Sequence, residues 1–205
     1  MKIINQLKNF KPKIGLVGTT MSSMDAILDV PEIREEREED EKFLDIIVQK
    51  LSEFAEVSNE GVIGTDDEAE AISDNFIKKQ VDLILVLPVS YTLDALILKL
   101  LKWQTCPIFI WNTNRIDAIP DNMNYEMAYA NIAIACIPTL TNVLLKNRIG
   151  FKLVSGRHDD AGILNEIRDF AIATKTVKVL KKARVGVIGS SYPGITSISV
   201  DEARV

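Results

Sequence analysis

Four polar stretches of the chain each follow a short apolar run, and their side chains are of the kinds that bind a polar ligand. They are TTMSS at residues 19–23, SYT at 90–92, NTNR at 112–115 and GRHDD at 156–160. Hydroxyls, amides, an aromatic ring and a few charges suit a small polyhydroxylated molecule. If the apolar runs are neighbouring parallel strands, the four loops meet at one edge of the sheet and form one ligand site.

The candidate ligand contacts come from the first three stretches. They are Thr19, Thr20, Met21, Tyr91, Thr92, Asn112, Asn114 and Arg115. The alternative, for each loop taken alone, is that its polar side chains only face solvent, as loop residues commonly do.

The fourth stretch contains the only histidine, His158, followed by Asp159 and Asp160. Histidine and aspartate together could bind a metal or transfer a proton. However, adjacent side chains point in different directions, and an aspartate at a helix start is first of all an N-cap. The pattern therefore favours helix capping over catalysis.

Two glycine-containing segments match by residue class, KIGLVGTT at 13–20 and RVGVIGSS at 184–191. The match indicates either duplicated architecture or simply two buried strands that each enter a glycine turn. GLVG lacks the third glycine of a dinucleotide fingerprint, and the chain has no Gly-Lys-Ser/Thr phosphate loop. The sequence therefore does not predict a nucleotide site.

Five apolar runs of strand length alternate with segments of helical spacing. VDLILVLPV at 81–89 and CPIFIWNT at 106–113 are almost entirely apolar, which is typical of strands covered on both faces. The alternation predicts a mostly parallel sheet with right-handed crossovers. We expect a three-layer, flavodoxin-like (Rossmann-like) α/β domain over residues 1–155, with five strands in the order 2-1-3-4-5.

Helical spacing also predicts which side chains face the core. The inner faces are Phe43, Ile46, Ile47, Leu51 and Phe54 in the first helix; Ala69, Ile72, Phe76 and Ile77 in the second, capped by Thr65; and Ile163, Ile167, Phe170, Ala171, Val177 and Leu180 in a long helix near the end. Pro138 is expected to divide the segment 123–149 into two helices and to lie in the first turn of the second.

Composition excludes several classes of protein. The chain has 205 residues and a formal net charge of -5, which argues against a general nucleic-acid surface. Its apolar runs fall short of the roughly 18 to 20 residues of a membrane helix, and no signal peptide is evident. The acidic run EIREEREEDEK at 32–42 favours a solvated helix start over a partner-docking segment. We expect a cytoplasmic protein with no nucleic-acid or membrane partner.

The end of the chain predicts the start of a second unit. The segment RVGVIG predicts a sixth strand, and DEARV predicts an N-cap and a first helical turn. We therefore expect residues 156–183 to be a connecting helix and 184–205 the truncated first strand and loop of a second α/β domain in a longer polypeptide.

The segments KIGLVG, VDLILVLPVSYT, WNTN, SGRHDD and RVGVIGSSYPGITSISVDE, in this order, resemble the N-terminal region of the L-fucose/L-arabinose isomerase family. The resemblance implies a metal-dependent aldose–ketose isomerase that uses Mn²⁺ and moves a proton between C1 and C2 of an open-chain sugar. It also implies a homo-oligomer whose catalytic residues and metal ligands lie in later domains. This region would contribute sugar contacts, through the first loop, Tyr91 and Asn114, and would not be catalytic alone.

The first loop, TTMSSMD, lacks the longer polar side chains that some members of the family place there, so the sugar is left open. The alternative is a stand-alone flavodoxin-like module that binds a small molecule such as a sugar or has a regulatory role.

Overall fold

The computed structural model of the chain describes residues 10–20, 31–115, 120–123, 131–184 and 186, with side chains of the first helix described from residue 38 onward. Its strands are β1 (Lys13–Thr19), β2 (Glu56–Ile63), β3 (Leu83–Pro88), β4 (Ile108–Asn112) and β5 (Phe151–Ser155). Its helices are α1 (Pro31–Ser52), α2 (Asp66–Lys79), α3 (Asp94–Leu101), α4 (Ala133–Lys146) and α5 (Ala161–Leu180). Met21 and most of the predicted sixth strand lie outside the described residues.

The five strands form one sheet in the order β2-β1-β3-β4-β5, and every neighbouring pair is parallel. This confirms the predicted flavodoxin-like fold and strand order. From β1 the chain moves outward to β2, then returns to the other side of β1 to form β3. The strand order therefore reverses between β1 and β3, and the crevice at their carboxyl ends is where such sheets bind ligands.

Helices cover both faces of the sheet, and each face has its own core. α1 and α5 pack on one face, where Leu83 and Leu85 point, while α2, α3 and α4 pack on the other, where Ile84 and Val86 point. Successive residues of a strand point to opposite faces. Because both faces are buried, β3 needs apolar residues at every position, which is the reason for its unbroken apolar run.

The two glycines of the KIGLVG segment allow helices to approach β1 closely. A Cβ atom on Gly15 would lie 2.6 Å from Cε1 of Phe76 in α2. One on Gly18 would lie 2.9 Å from Cδ1 of Leu44 in α1. The close packing of one helix on each side of β1 therefore explains why this motif has glycines. Binding of a phosphate is not needed to explain them.

A buried carboxylate joins α5 to the amino edge of the sheet. Asp82, 5% exposed, accepts hydrogen bonds from the backbone N–H of Lys13 (2.8 Å) and from Nζ of Lys178 (2.8 Å), and Nζ of Lys175 lies 3.4 Å away. Burial by itself raises the pKa of Asp82, but the hydrogen bonds from Lys178 and Lys13 and the lysine charges outweigh it, so the pKa lies below its usual value.

The long helix expected to connect two domains contributes to the first of them. Ile167 and Ala171 of α5 are fully buried in the core that α1 shares with the sheet. That α5 also leads into a second domain stays a prediction, because the residues that would form that domain lie outside those described.

The predicted division at Pro138 is wrong, because α4 runs through this residue. Proline lacks the N–H that would bond to the carbonyl of Ile134. Both residues are exposed, and Ile134 belongs to the first turn, so water can hydrate that carbonyl. One lost hydrogen bond on the solvent side is not enough to end the helix.

Four side chains expected on inner helix faces are instead exposed: Ile46, Ile77, Val177 and Leu180. Ile46 and Ile77 lie at the side of the buried face of their helices. The sheet covers a narrower part of each helix surface than the apolar pattern predicts. The last turn of α5 lies level with Asp82, just before β3 begins, so the sheet offers Val177 and Leu180 few packing partners.

None of the helices in the described part of the chain has an apolar stretch long enough to cross a lipid bilayer.

Gly15→Ala should lower the free energy of unfolding by about 2 kcal/mol, because the new methyl group overlaps the Phe76 ring. Gly150→Ala is the matched control, since nothing lies within 4 Å of its Cβ position. There we expect no loss, or a gain of up to about 1 kcal/mol from the stiffer unfolded chain. Urea unfolding of both variants measures the difference, and equal values would contradict the packing explanation.

Candidate functional site

The predicted ligand residues meet at the carboxyl edge of the sheet, around the reversal of strand order. β1 ends at Thr19 and Thr20 follows it, Tyr91 and Thr92 follow β3, and β4 ends at Asn112, with residues 113–115 in the loop after it. β1, β3 and β4 are consecutive in the sheet, so the three loops are neighbours. The residues do not have equal access to a ligand, however.

Thr19 and Thr92 link two of these loops through their side chains. Their Oγ1 atoms lie 2.9 Å apart, and Oγ1 of Thr92 is also placed to donate to the carbonyl of Ser90 at 3.3 Å. All three residues are buried. The two hydroxyls are therefore satisfied by protein atoms, and they hold the loop after β3 against the end of β1.

Three other predicted residues are more accessible. Asn114 is exposed, while Thr20 and Tyr91 are half-buried. The backbone N–H of Thr20 donates to the carbonyl of Ile63 (2.9 Å), and Tyr91 packs against the core that α2, α3 and α4 cover. A backbone hydrogen bond thus holds Thr20, and packing against the core holds Tyr91, while all three residues keep some contact with solvent at the edge.

Asn112 joins the ends of β4 and β5. Its Nδ2 donates to Oγ of Ser155 (3.1 Å), and its carbonyl accepts from the backbone N–H of Gly156 (3.0 Å). Nε1 of the buried Trp111 donates to the carbonyl of Gly156 (3.1 Å). These bonds fix the relative positions of the last two loops.

Arg115 pairs with a buried carboxylate that the sequence reasoning missed. Its Nη1 lies 3.1 Å from Oδ1 of Asp40 and 3.4 Å from Oε2 of Glu39, both in α1. Asp40 is only 3% exposed, although Glu39 and Glu41 on either side of it are exposed, as predicted for a solvated run. The sequence does contain a signal for the burial of Asp40: it precedes the buried Phe43 by three residues, so the two side chains lie on the same face of α1.

His158, Asp159 and Asp160 do not form one cluster. Arg157 donates two hydrogen bonds to Asp159, from Nε (2.9 Å) and Nη2 (2.8 Å), and they lower the pKa of that carboxyl to about 2. Asp160 accepts from the backbone N–H of Gly162 (2.7 Å) as the N-cap of α5, which confirms the capping interpretation.

Two buried polar atoms at this edge have no hydrogen-bond partner among the described residues, Oγ1 of Thr113 and Nδ1 of His158. The imidazole of His158 lies edge-on to the ring of Phe43 in α1, with their centroids 5.4 Å apart. Buried polar atoms are nearly always hydrogen-bonded, to protein or to ordered water. Oγ1 of Thr113 and Nδ1 of His158 therefore still need a partner.

The described residues do not fit the manganese implied by the family resemblance. No group of three or more His, Cys, Asp or Glu side chains that could hold a metal ion occurs in the described part of the chain. We therefore derive no metal-dependent step from these residues.

Comparison with known proteins assigns no family, since no family model matches the chain and no curated protein matches it significantly.

The ion pair between Arg115 and Asp40 predicts that Arg115 contributes to the free energy of unfolding. Arg115→Ala should lower the free energy of unfolding by about 3 kcal/mol, because it leaves the carboxylate of Asp40 buried without its cation. Glu39→Gln is the control, expected within about 0.5 kcal/mol of the parent, because Glu39 is a solvated partner. Chemical unfolding measures both.

A double variant separates the ion pair from lost packing. Adding Asp40→Asn to Arg115→Ala should recover part of the loss, because no buried charge then remains without a partner. If Arg115→Ala costs no more than Glu39→Gln, the pair does not hold α1 against the loop after β4.

Proposed function

We propose that the chain binds a sugar at the carboxyl edge of its sheet, as the sugar-contacting N-terminal region of an aldose–ketose isomerase of the L-fucose/L-arabinose type. One observation carries the proposal: polar loops from three consecutive strands converge where the strand order reverses. Ligands of open α/β sheets bind at this point.

The accessible side chains suit a polyhydroxylated ligand. The carboxamide of Asn114 offers both a donor and an acceptor, and the hydroxyl of Thr20 offers the same pair of functions. The half-buried ring of Tyr91 gives an apolar surface for the C–H face of a sugar and a phenolic hydroxyl for its polar rim. A sugar needs this mixture, since each face carries both hydroxyl and C–H groups.

The proposed role is binding, without proton transfer. Moving a proton between C1 and C2 calls for positioned carboxylates. At this edge, Asp40 pairs with Arg115, Asp159 with Arg157, and Asp160 caps α5. We therefore leave the isomerisation step, the use of Mn²⁺ and assembly into a homo-oligomer to the complete enzyme of the proposed family.

The alternative is a stand-alone sugar-binding or regulatory module, and one observation favours it. α5 completes the second helical layer, so the described residues bury a core on both faces of the sheet. A domain that is closed in this way can bind a ligand without a further catalytic domain. Both proposed functions place the sugar at the carboxyl edge of the sheet.

Asn114→Ala should weaken binding of L-fucose or L-arabinose about fivefold, because a hydrogen bond to a ligand contributes about 1 kcal/mol. Asn142→Ala is the matched control: Asn142 is also exposed, but it lies in the later half of α4, which leads toward the amino edge. Isothermal titration calorimetry of the parent and both variants gives the affinities.

Two results would contradict the sugar site, and a third would contradict the binding-only role. Absence of binding by the parent, with either sugar at millimolar concentration, removes the sugar site. Equal affinities of the parent and Asn114→Ala would place the sugar elsewhere. Ketose formation by this chain with Mn²⁺ would contradict the binding-only role while leaving the site intact.

A further inference from the structure

A cavity of about 420 Å³ lies at the amino edge of the sheet, opposite the proposed sugar site. Its lining includes four lysines and one aspartate: Lys13, Asp82, Lys175, Lys178 and Lys182. They come from the starts of β1 and β3 and from the last turns of α5 and the residues just after it. The sequence reasoning missed this cluster, although Asp82 is the one charge in the run VDLILVLPV.

One ammonium group is enough to neutralise Asp82, and Lys178 supplies it. Its Nζ lies 2.8 Å from Oδ1 of Asp82, 2.8 Å from the carbonyl of Gln80 and 3.2 Å from that of Val81. Its three N–H groups therefore have three acceptors. Lys178 therefore has a structural role, and the other three lysines are not needed to neutralise the charge of Asp82.

The other three ammonium groups are held less tightly. Nζ of Lys175 lies 3.4 Å from Asp82, and Nζ of Lys13 lies 3.5 Å from the exposed Glu56. Lys182 is exposed and has no ion-pair partner among the described residues. Even with Glu56 counted, the cavity has an excess of positive charge, in a chain whose formal net charge is -5.

The cavity also has an apolar side. Val179 and Ala183 line it together with the lysines, whose methylene stems add further apolar surface. Its volume falls in the range of small-molecule pockets. Positive charge beside an apolar wall is complementary to an anion that carries an organic group.

We propose that this cavity binds a phosphate monoester, with the phosphate among the ammonium groups of Lys13, Lys175 and Lys182 and the organic group against Val179 and Ala183. Lysine binds phosphate as a compact point charge, so the geometry of the oxygens need not be matched in advance. The site is independent of the proposed sugar function, because the two lie at opposite edges of the sheet.

The test uses phenyl phosphate as the probe and Lys182→Gln as the variant. Losing one positive charge near the phosphate should weaken binding about fivefold. Lys181→Gln is the matched control, since Lys181 is the neighbouring exposed residue and does not line the cavity; its affinity should stay within about twofold of the parent. Both variants change exposed side chains, and circular dichroism verifies that they fold. Calorimetry measures the affinities.

Three further probes define the ligand class. Phenol, which lacks the phosphate, should not bind, and inorganic phosphate, which lacks the organic group, should bind more weakly than phenyl phosphate. Raising the salt concentration should weaken phenyl phosphate binding, because exposed charges are screened. No binding of phenyl phosphate, equal effects of the two lysine variants, or equal binding of phenol would each overturn the proposal.

Discussion

The close packing of one helix on each side of β1 is the constraint on which the rest of the structure depends. β1 lies between β2 and β3, where the strand order reverses, so its carboxyl end forms one wall of the crevice. Gly15 and Gly18 leave room for Phe76 of α2 and Leu44 of α1. Larger residues would push these helices away and shift the loops on either side of the crevice.

Around that crevice, the interactions divide residues into those that hold the loops and those that remain accessible. The buried hydroxyls of Thr19 and Thr92 join the first two loops, and Arg115 ties the third to α1 through Asp40. Because these groups are already paired, they give the edge a defined shape. Asn114 extends from that fixed frame into solvent, as a ligand-binding side chain must.

Much of the fold could be predicted, because strands buried on both faces need continuous apolar runs and parallel strands need intervening helices. The capping role of Asp160 followed from local chemistry in the same way. Pro138 was misjudged because the cost of proline depends on whether the carbonyl that loses its bond is hydrated. The partners of Asp40 and Asp82 could not be predicted, since Arg115 and Lys178 are distant in sequence and only the packing of α1 and α5 brings them together.

Titration of L-fucose into ¹⁵N-labelled protein, followed by NMR, tests the central claim most directly, because it locates a ligand without assuming which residue binds it. The account predicts that the largest amide shift changes occur at Thr20, Tyr91 and Asn114, at the carboxyl edge. Unchanged spectra at saturating sugar, or changes concentrated at the amino edge near Lys13 and Asp82, would contradict it.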